Sequence, residues 1–194
     1  MLPRPIRAPL LAALTLLVVT AGPVSGQAPA AVARPAADSP EAVTQRYIAT
    51  LKAGDFAATA RLMHPSALSA VRRLAMVLAQ RDQSGRTRQE LFGSADPKGG
   101  SLTDAQVYER FLRGTVGAQP AALELMKSAR AEILGHVNEG AEQAHVVYRQ
   151  HLDYQGMKLN KVDVLTLRRA NGEWRAMLTA DFEQMIARMS KAGT

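Results

Sequence analysis

Residues 131–180 read AEILGHVNEGAEQAHVVYRQHLDYQGMKLNKVDVLTLRRANGEWRAMLTA, and this stretch decides the fold. Three dipeptides, Glu139-Gly140, Gln155-Gly156 and Asn171-Gly172, divide it into four runs. In each, a polar residue precedes a Gly that can adopt φ > 0, and Asn-Gly is the strongest short hairpin signal. The runs are rich in Val, Leu, Thr and Tyr, which suit a pleated, half-buried surface. Four antiparallel strands are therefore expected.

If each dipeptide is a two-residue loop, the pairing is fixed and side chains alternate between two faces. One face collects Ile133, Val137, Val146, Tyr148, Leu165 and Trp174, with Gln150, Lys161 and Asp163 among them. The other carries His136, His145, Arg149 and His151 beside Val147, Val162 and Val164. The first face is expected to pack on helices. The second is too polar for a core, yet its valines make it a candidate oligomer contact. On this register Tyr148 faces Asp163, Gln150 faces Lys161, and His136 faces Gln143, diagonal to His145.

Upstream, the pattern is helical. Ser39-Pro40-Glu41 supplies an N-cap hydroxyl, a Pro at the first helical position and an acid in the first turn. Val43, Tyr47, Ile48 and Leu51 then form one apolar stripe, and Gly54 closes it. Asp55 caps a second helix that ends at His64-Pro65, and Pro65 opens a third running to about Gln83. Gly93–Ser101 is the clearest loop and the best lid candidate. Thr103 or Ser101 caps a fourth helix through Val107, Phe111 and Leu112, Pro120 starts a short fifth, and Asp181 to about Ser190 forms the last.

Met1 to Gly26 has the three parts of a secretory signal: Arg4 and Arg7, an apolar run from Leu10 to Val19, and Val24-Ser25-Gly26. The apolar run is short of the roughly 20 residues a spanning helix needs, so no stable membrane insertion is expected after cleavage. Residues 27–38 are Ala- and Pro-rich and read as a disordered tether, leaving 39–190 for one domain. The expected destination is the bacterial periplasm or the exterior. The absence of Cys excludes a disulfide framework and a lipidated cysteine. The formal charge of +7 falls to +5 without Arg4 and Arg7, and the remaining basic residues are scattered with few aromatics. Nucleic acid is therefore not an expected partner.

Helices first and then an antiparallel sheet is the layout of the nuclear transport factor two-like superfamily, which includes SnoaL-like proteins and ketosteroid isomerase. The chain resembles it in Val43-Thr-Gln-Arg-Tyr-Ile-Ala-Thr-Leu-Lys-Ala-Gly-Asp55, in Leu62-Met-His-Pro65 and in Arg169-Ala-Asn-Gly-Glu-Trp-Arg175. The resemblance implies an α+β cone, cystatin-like, with N-terminal helices on the concave face of a strongly curved four-stranded sheet and a short C-terminal helix. It also implies a place for Tyr47, which matches the tyrosine that hydrogen-bonds the developing enolate in the isomerase. The isomerase carboxylates do not carry over: Ala70-Val71-Arg72 stands where its base is found, and Asp163 is out of step with its second acid.

The candidate site residues are Tyr47, His64, Tyr148, Gln150, Asp163 and Trp174. An acid facing a tyrosine among apolar residues suits proton transfer or ligand hydrogen bonding, but equally a structural bond to Tyr148 or Lys161. His64 before Pro reads as a helix cap or a cavity-mouth residue, and Trp174 as core or ligand platform. His136 and His145 could meet a metal, but no carboxylate or thiol joins them, so no metal and no cofactor are expected. The reading is an exported, non-catalytic module holding a small apolar ligand between helices and sheet. Two alternatives stand beside it: an interaction module dimerising or docking through the convex face, and a lyase or isomerase with Asp163 as base.

Overall fold

The computed structural model describes residues 38–93, 100–154 and 157–191. The expected signal peptide, nearly all of the tether, most of the Gly93–Ser101 loop and the Gln155-Gly156 turn lie outside the described residues.

Among the described residues, six α-helices precede the sheet. In α1 (Pro40–Ala53) the Ser39 hydroxyl accepts from the Ala42 N–H, and Gly54 closes the helix at φ 69°. The Asp55 carboxylate caps α2 (Phe56–Leu62) by accepting from Ala58 N at 2.9 Å. Next, α3 (Pro65–Arg81) buries Leu68, Val71, Leu74 and Ala75 on one face, while Leu78, which the apolar spacing places with them, is only partly buried. The Thr103 cap of α5 (Asp104–Leu112) is a complete capping box with Gln106, satisfying two orphan N–H groups at once. That helix runs into a π-helical turn, Arg113–Gly117, before α6 (Pro120–Ser128). After the sheet comes α7 (Ala180–Lys191).

One helix, α4 (Arg86–Phe92), is not expected from the sequence pattern. Seven residues are too few to show a period, and only Leu91 and Phe92 are buried. Asp82 fixes its start: one carboxylate oxygen accepts from Ser84 N at 2.9 Å, the other from Thr87 N at 2.6 Å. The Ser84 hydroxyl, which donates to the same carboxylate at 2.5 Å, and then Thr87 hold the Asp82 carboxyl well below the usual range.

The sheet is four-stranded, antiparallel and ordered β1 (Arg130–Glu139), β2 (Gln143–Tyr154), β3 (Met157–Ala170), β4 (Glu173–Ala176). The fold is α+β, with helices first and an open sheet after them. Two hairpins keep the expected register, with Tyr148 opposite Asp163, Gln150 opposite Lys161 and Arg168 opposite Arg175. Asn171 and Gly172 both take positive φ, 54° and 81°, as a two-residue turn of the primed type requires.

The first hairpin departs from expectation. Glu139 pairs with Gln143, so the loop holds three residues, and a bulge between Ile133 and Gly135 breaks the ladder. The longer loop moves the strand end next to it onto the opposite face. The bulge, where Gly135 takes φ 144°, restores the alternation further on. Ile133 consequently packs on the core, as expected, although it pairs with Tyr148 rather than Val146. Val137 does not: it shares the open face with His145 and is 64% exposed. His136 pairs with Val146 rather than Gln143, and its Nδ1 bonds the Glu41 carboxylate on α1. The expected His136–His145 proximity is thereby lost, since the two lie on opposite faces.

The covered face carries Ala144, Val146, Leu165, Leu167 and Ala176, all at most 1% exposed. They join α3 and α5 in one hydrophobic cluster with Val71, Leu74, Val107 and Phe111. A second tie is backbone: Met63 bridges Ala176 in parallel, and His64 N donates to Ala176 O at 2.8 Å. The face is not covered along its length, because Leu159 at the far end of β3 is 54% exposed. None of the helices among the described residues is long and apolar enough to cross a membrane.

Candidate functional site

A cavity of about 280 Å³ opens between α1, α5, α6 and the start of α7. Its apolar wall includes Leu51, Phe111, Met126, Leu178 and Phe182, and the Phe111 and Phe182 rings meet edge to face with centroids 5.9 Å apart. Its polar lining comes from Tyr47 on α1, Tyr108 on α5, Thr115 and Thr179.

The two phenols bond to each other. Burial raises the pKa of both, and their mutual bond lowers that of Tyr47 while raising that of Tyr108. Either phenol can donate in that bond, because each hydroxyl carries one proton and can also accept. One bond uses one of the two phenol protons, so the other remains for a further acceptor. The arrangement is a preset hydrogen-bond donor at the end of an apolar chamber.

Tyr148 is 6% exposed and lies outside that wall. Burial first, then the charge of Asp163 and the proximity of Tyr47, push its phenol up to about 12. Asp163 itself is engaged: Oδ2 accepts from Lys161 Nζ at 3.1 Å, and Oδ1 from its own strand at Val164 N, 2.9 Å. Gln150 is half-buried opposite Lys161, away from the chamber.

His64 is the N-cap of α3, its Nδ1 meeting Ser66 N at 3.2 Å and Ser66 Oγ at 2.7 Å. Burial and the Arg168 charge hold its imidazole below the ordinary value. It does not line the chamber. Trp174 belongs to the core cluster, with the Arg169 guanidinium 4.4 Å from its ring centroid. It borders a separate cleft of about 290 Å³ where Arg46, Arg169 and Arg175 meet Asp38 and Glu173. Of the six predicted site residues, the chamber takes Tyr47 alone.

Tyr108 is the chamber residue that the sequence pattern does not single out. A signal for it exists: it precedes Phe111 and Leu112 by three and four residues, on the same helical stripe. A buried Tyr needs a partner for its hydroxyl, and Tyr47 lies on an inward stripe of its own. Among the described residues no group of three or more His, Cys, Asp or Glu could hold a metal ion. In comparisons with family models, with curated proteins and with solved structures, none matches this chain.

Proposed function

We propose that the protein is an exported, non-catalytic module that binds a small, largely apolar molecule bearing one hydrogen-bond acceptor. The observation that carries this reading is the chamber between α1 and α5, apolar except for the bonded Tyr47–Tyr108 pair and two threonines, Thr115 and Thr179. Apolar lining with a few convergent polar groups is the usual composition of a small-molecule pocket. In this reading the acceptor, a ketone or ether oxygen, takes the Tyr47 proton while the body of the ligand replaces empty space against Phe111 and Phe182. The helices-then-sheet order and the segment around Tyr47 support membership of the nuclear transport factor two-like superfamily, with the covered face as the concave side of a cone. Residues 1–26 would direct export. Asp163 receives no chemistry here, because it is held by Lys161 away from the chamber. Thermal unfolding in the presence of α-tetralone tests the reading: a saturable rise in Tm is expected, and an unchanged Tm at saturating ketone would refute it.

The open sheet face supports a second reading, a dimer or docking contact, because Val137, Val162 and Val164 are each at least 44% exposed there. Sedimentation equilibrium is its test. A monomer at high concentration would end the dimer form of it.

A further inference from the structure

A second cleft, of about 420 Å³, lies on the other side of α5, between α4 and the π-helical turn. It shares Phe111 and Thr115 with the chamber, but none of its other lining residues. Its floor is apolar, formed by Leu78, Leu91 and Phe111, of which the last two are at most 6% exposed. Three guanidinium groups, Arg86, Arg110 and Arg113, line it against one carboxylate, Glu90.

The charges do not cancel. Arg86 is paired with Glu90 at 2.7 Å, and Arg113 with Glu109 at 2.7 Å. Arg110 is half-buried, and its guanidinium makes no hydrogen bond or ion pair among the described residues. Its Nη1 lies against the backbone at Gly93, where an added Cβ would come within 3.2 Å. Gly93 also takes φ 85°, so glycine both shapes the end of α4 and makes room for the Arg110 head. Among the described residues, the cleft thus presents one uncompensated, partly desolvated fork of N–H donors above an apolar floor.

Desolvating a cation without a counter-charge is costly, and a guanidinium matches a carboxylate through two parallel hydrogen bonds. We propose that this cleft binds an amphipathic monoanion, a carboxylate on an apolar chain or ring, with the carboxylate on Arg110 and the apolar part over Leu78, Leu91 and Phe111. One spare positive charge, on Arg110, selects a monoanion and disfavours a cationic head group, since the flanking Arg86–Glu90 and Arg113–Glu109 pairs are each neutral overall. The site differs from the Tyr47 chamber in charge and in all of its lining except Phe111 and Thr115, so a variant at a residue that only one of them uses tests each alone.

The test uses the full chain and isothermal titration with dodecanoate, dodecanol and dodecyltrimethylammonium below their micellar concentrations. The expected result is saturable one-to-one binding of dodecanoate, at least tenfold tighter than dodecanol, with no binding of the cation. Arg110→Ala should weaken dodecanoate by about tenfold or more, and Arg110→Lys, which keeps the charge but not the fork, by a smaller factor. Leu51→Trp, which fills the Tyr47 chamber, should leave dodecanoate binding unchanged. Equal affinity for dodecanoate and dodecanol would overturn the proposal. So would an unaltered Arg110→Ala, a loss on Leu51→Trp that spares Arg110→Ala, or binding to phosphatidylglycerol vesicles without binding of the free acid.

Discussion

Two polar pairs are set into the apolar interior, Tyr47–Tyr108 between helices and Tyr148–Asp163 across β2 and β3. They differ in what surrounds them. The sheet pair sits where Ala144, Val146, Leu165 and Leu167 are packed to completion, and its acid is neutralised by Lys161 at the exposed edge. The helical pair sits at the end of a chamber that side chains do not fill. A Tyr facing an acid looks more like chemistry than two phenols do, but packing decides which pair a ligand can reach.

The largest expected effect tests the closed half. Leu165→Ala removes a side chain that is 1% exposed and should cost about 2 to 5 kcal/mol of stability by denaturant unfolding. A loss under about 1 kcal/mol would mean that the sheet side can collapse around a hole and is not rigidly packed.

Alkaline titration of the sheet pair comes next. With its phenol pushed up to about 12, folded Tyr148 keeps a proton that an unfolded tyrosine releases near pH 10. Its contribution is complete below pH 10 and disappears as the pH climbs toward 12, a loss of roughly 2 to 3 kcal/mol by linkage. Tyr148→Phe should flatten that decline in an unfolding series run across this window. A wild-type curve flat to pH 12 would contradict it.

The ligand should then distinguish the pairs directly. Tyr47→Phe removes the donor and should weaken α-tetralone about five- to fifteenfold, the worth of one hydrogen bond of roughly 1 to 1.5 kcal/mol. Tyr148→Phe should change it less than twofold. Equal losses would show that both pairs meet the ligand. The smallest effect belongs to the edge of the sheet pair: Asp163→Asn breaks a part-exposed ion pair and should cost under about 1 kcal/mol, with ketone affinity unchanged.

The two pairs also differ in how far the sequence reveals them. Strand alternation and a two-residue turn make cross-strand partners a matter of arithmetic, so Tyr148 and Asp163 are legible as a facing pair from the amino-acid order alone. Caps make the helix ends legible too, at Ser39, Asp55 and Thr103. The arithmetic fails at β1, where a third loop residue and the Gly135 bulge each shift alternation by one and composition cannot count them. Val137 reads inward and His136 outward for that reason alone. Tyr108 escapes because helix-to-helix contacts between α1 and α5 depend on tertiary packing, which no local period encodes. Helix α4 escapes because a carboxylate clasp at Asp82, rather than a hydrophobic repeat, sets its start.

The central claim is that the chamber beside Tyr47 and Tyr108 is the ligand site. Calorimetric titration of α-tetralone into wild type, Tyr47→Phe and Leu51→Trp tests it most directly. The account predicts one saturable site in the wild type, weakened in Tyr47→Phe and abolished in Leu51→Trp with the fold retained. Saturable binding of equal strength in all three proteins, or none in the wild type, would contradict it.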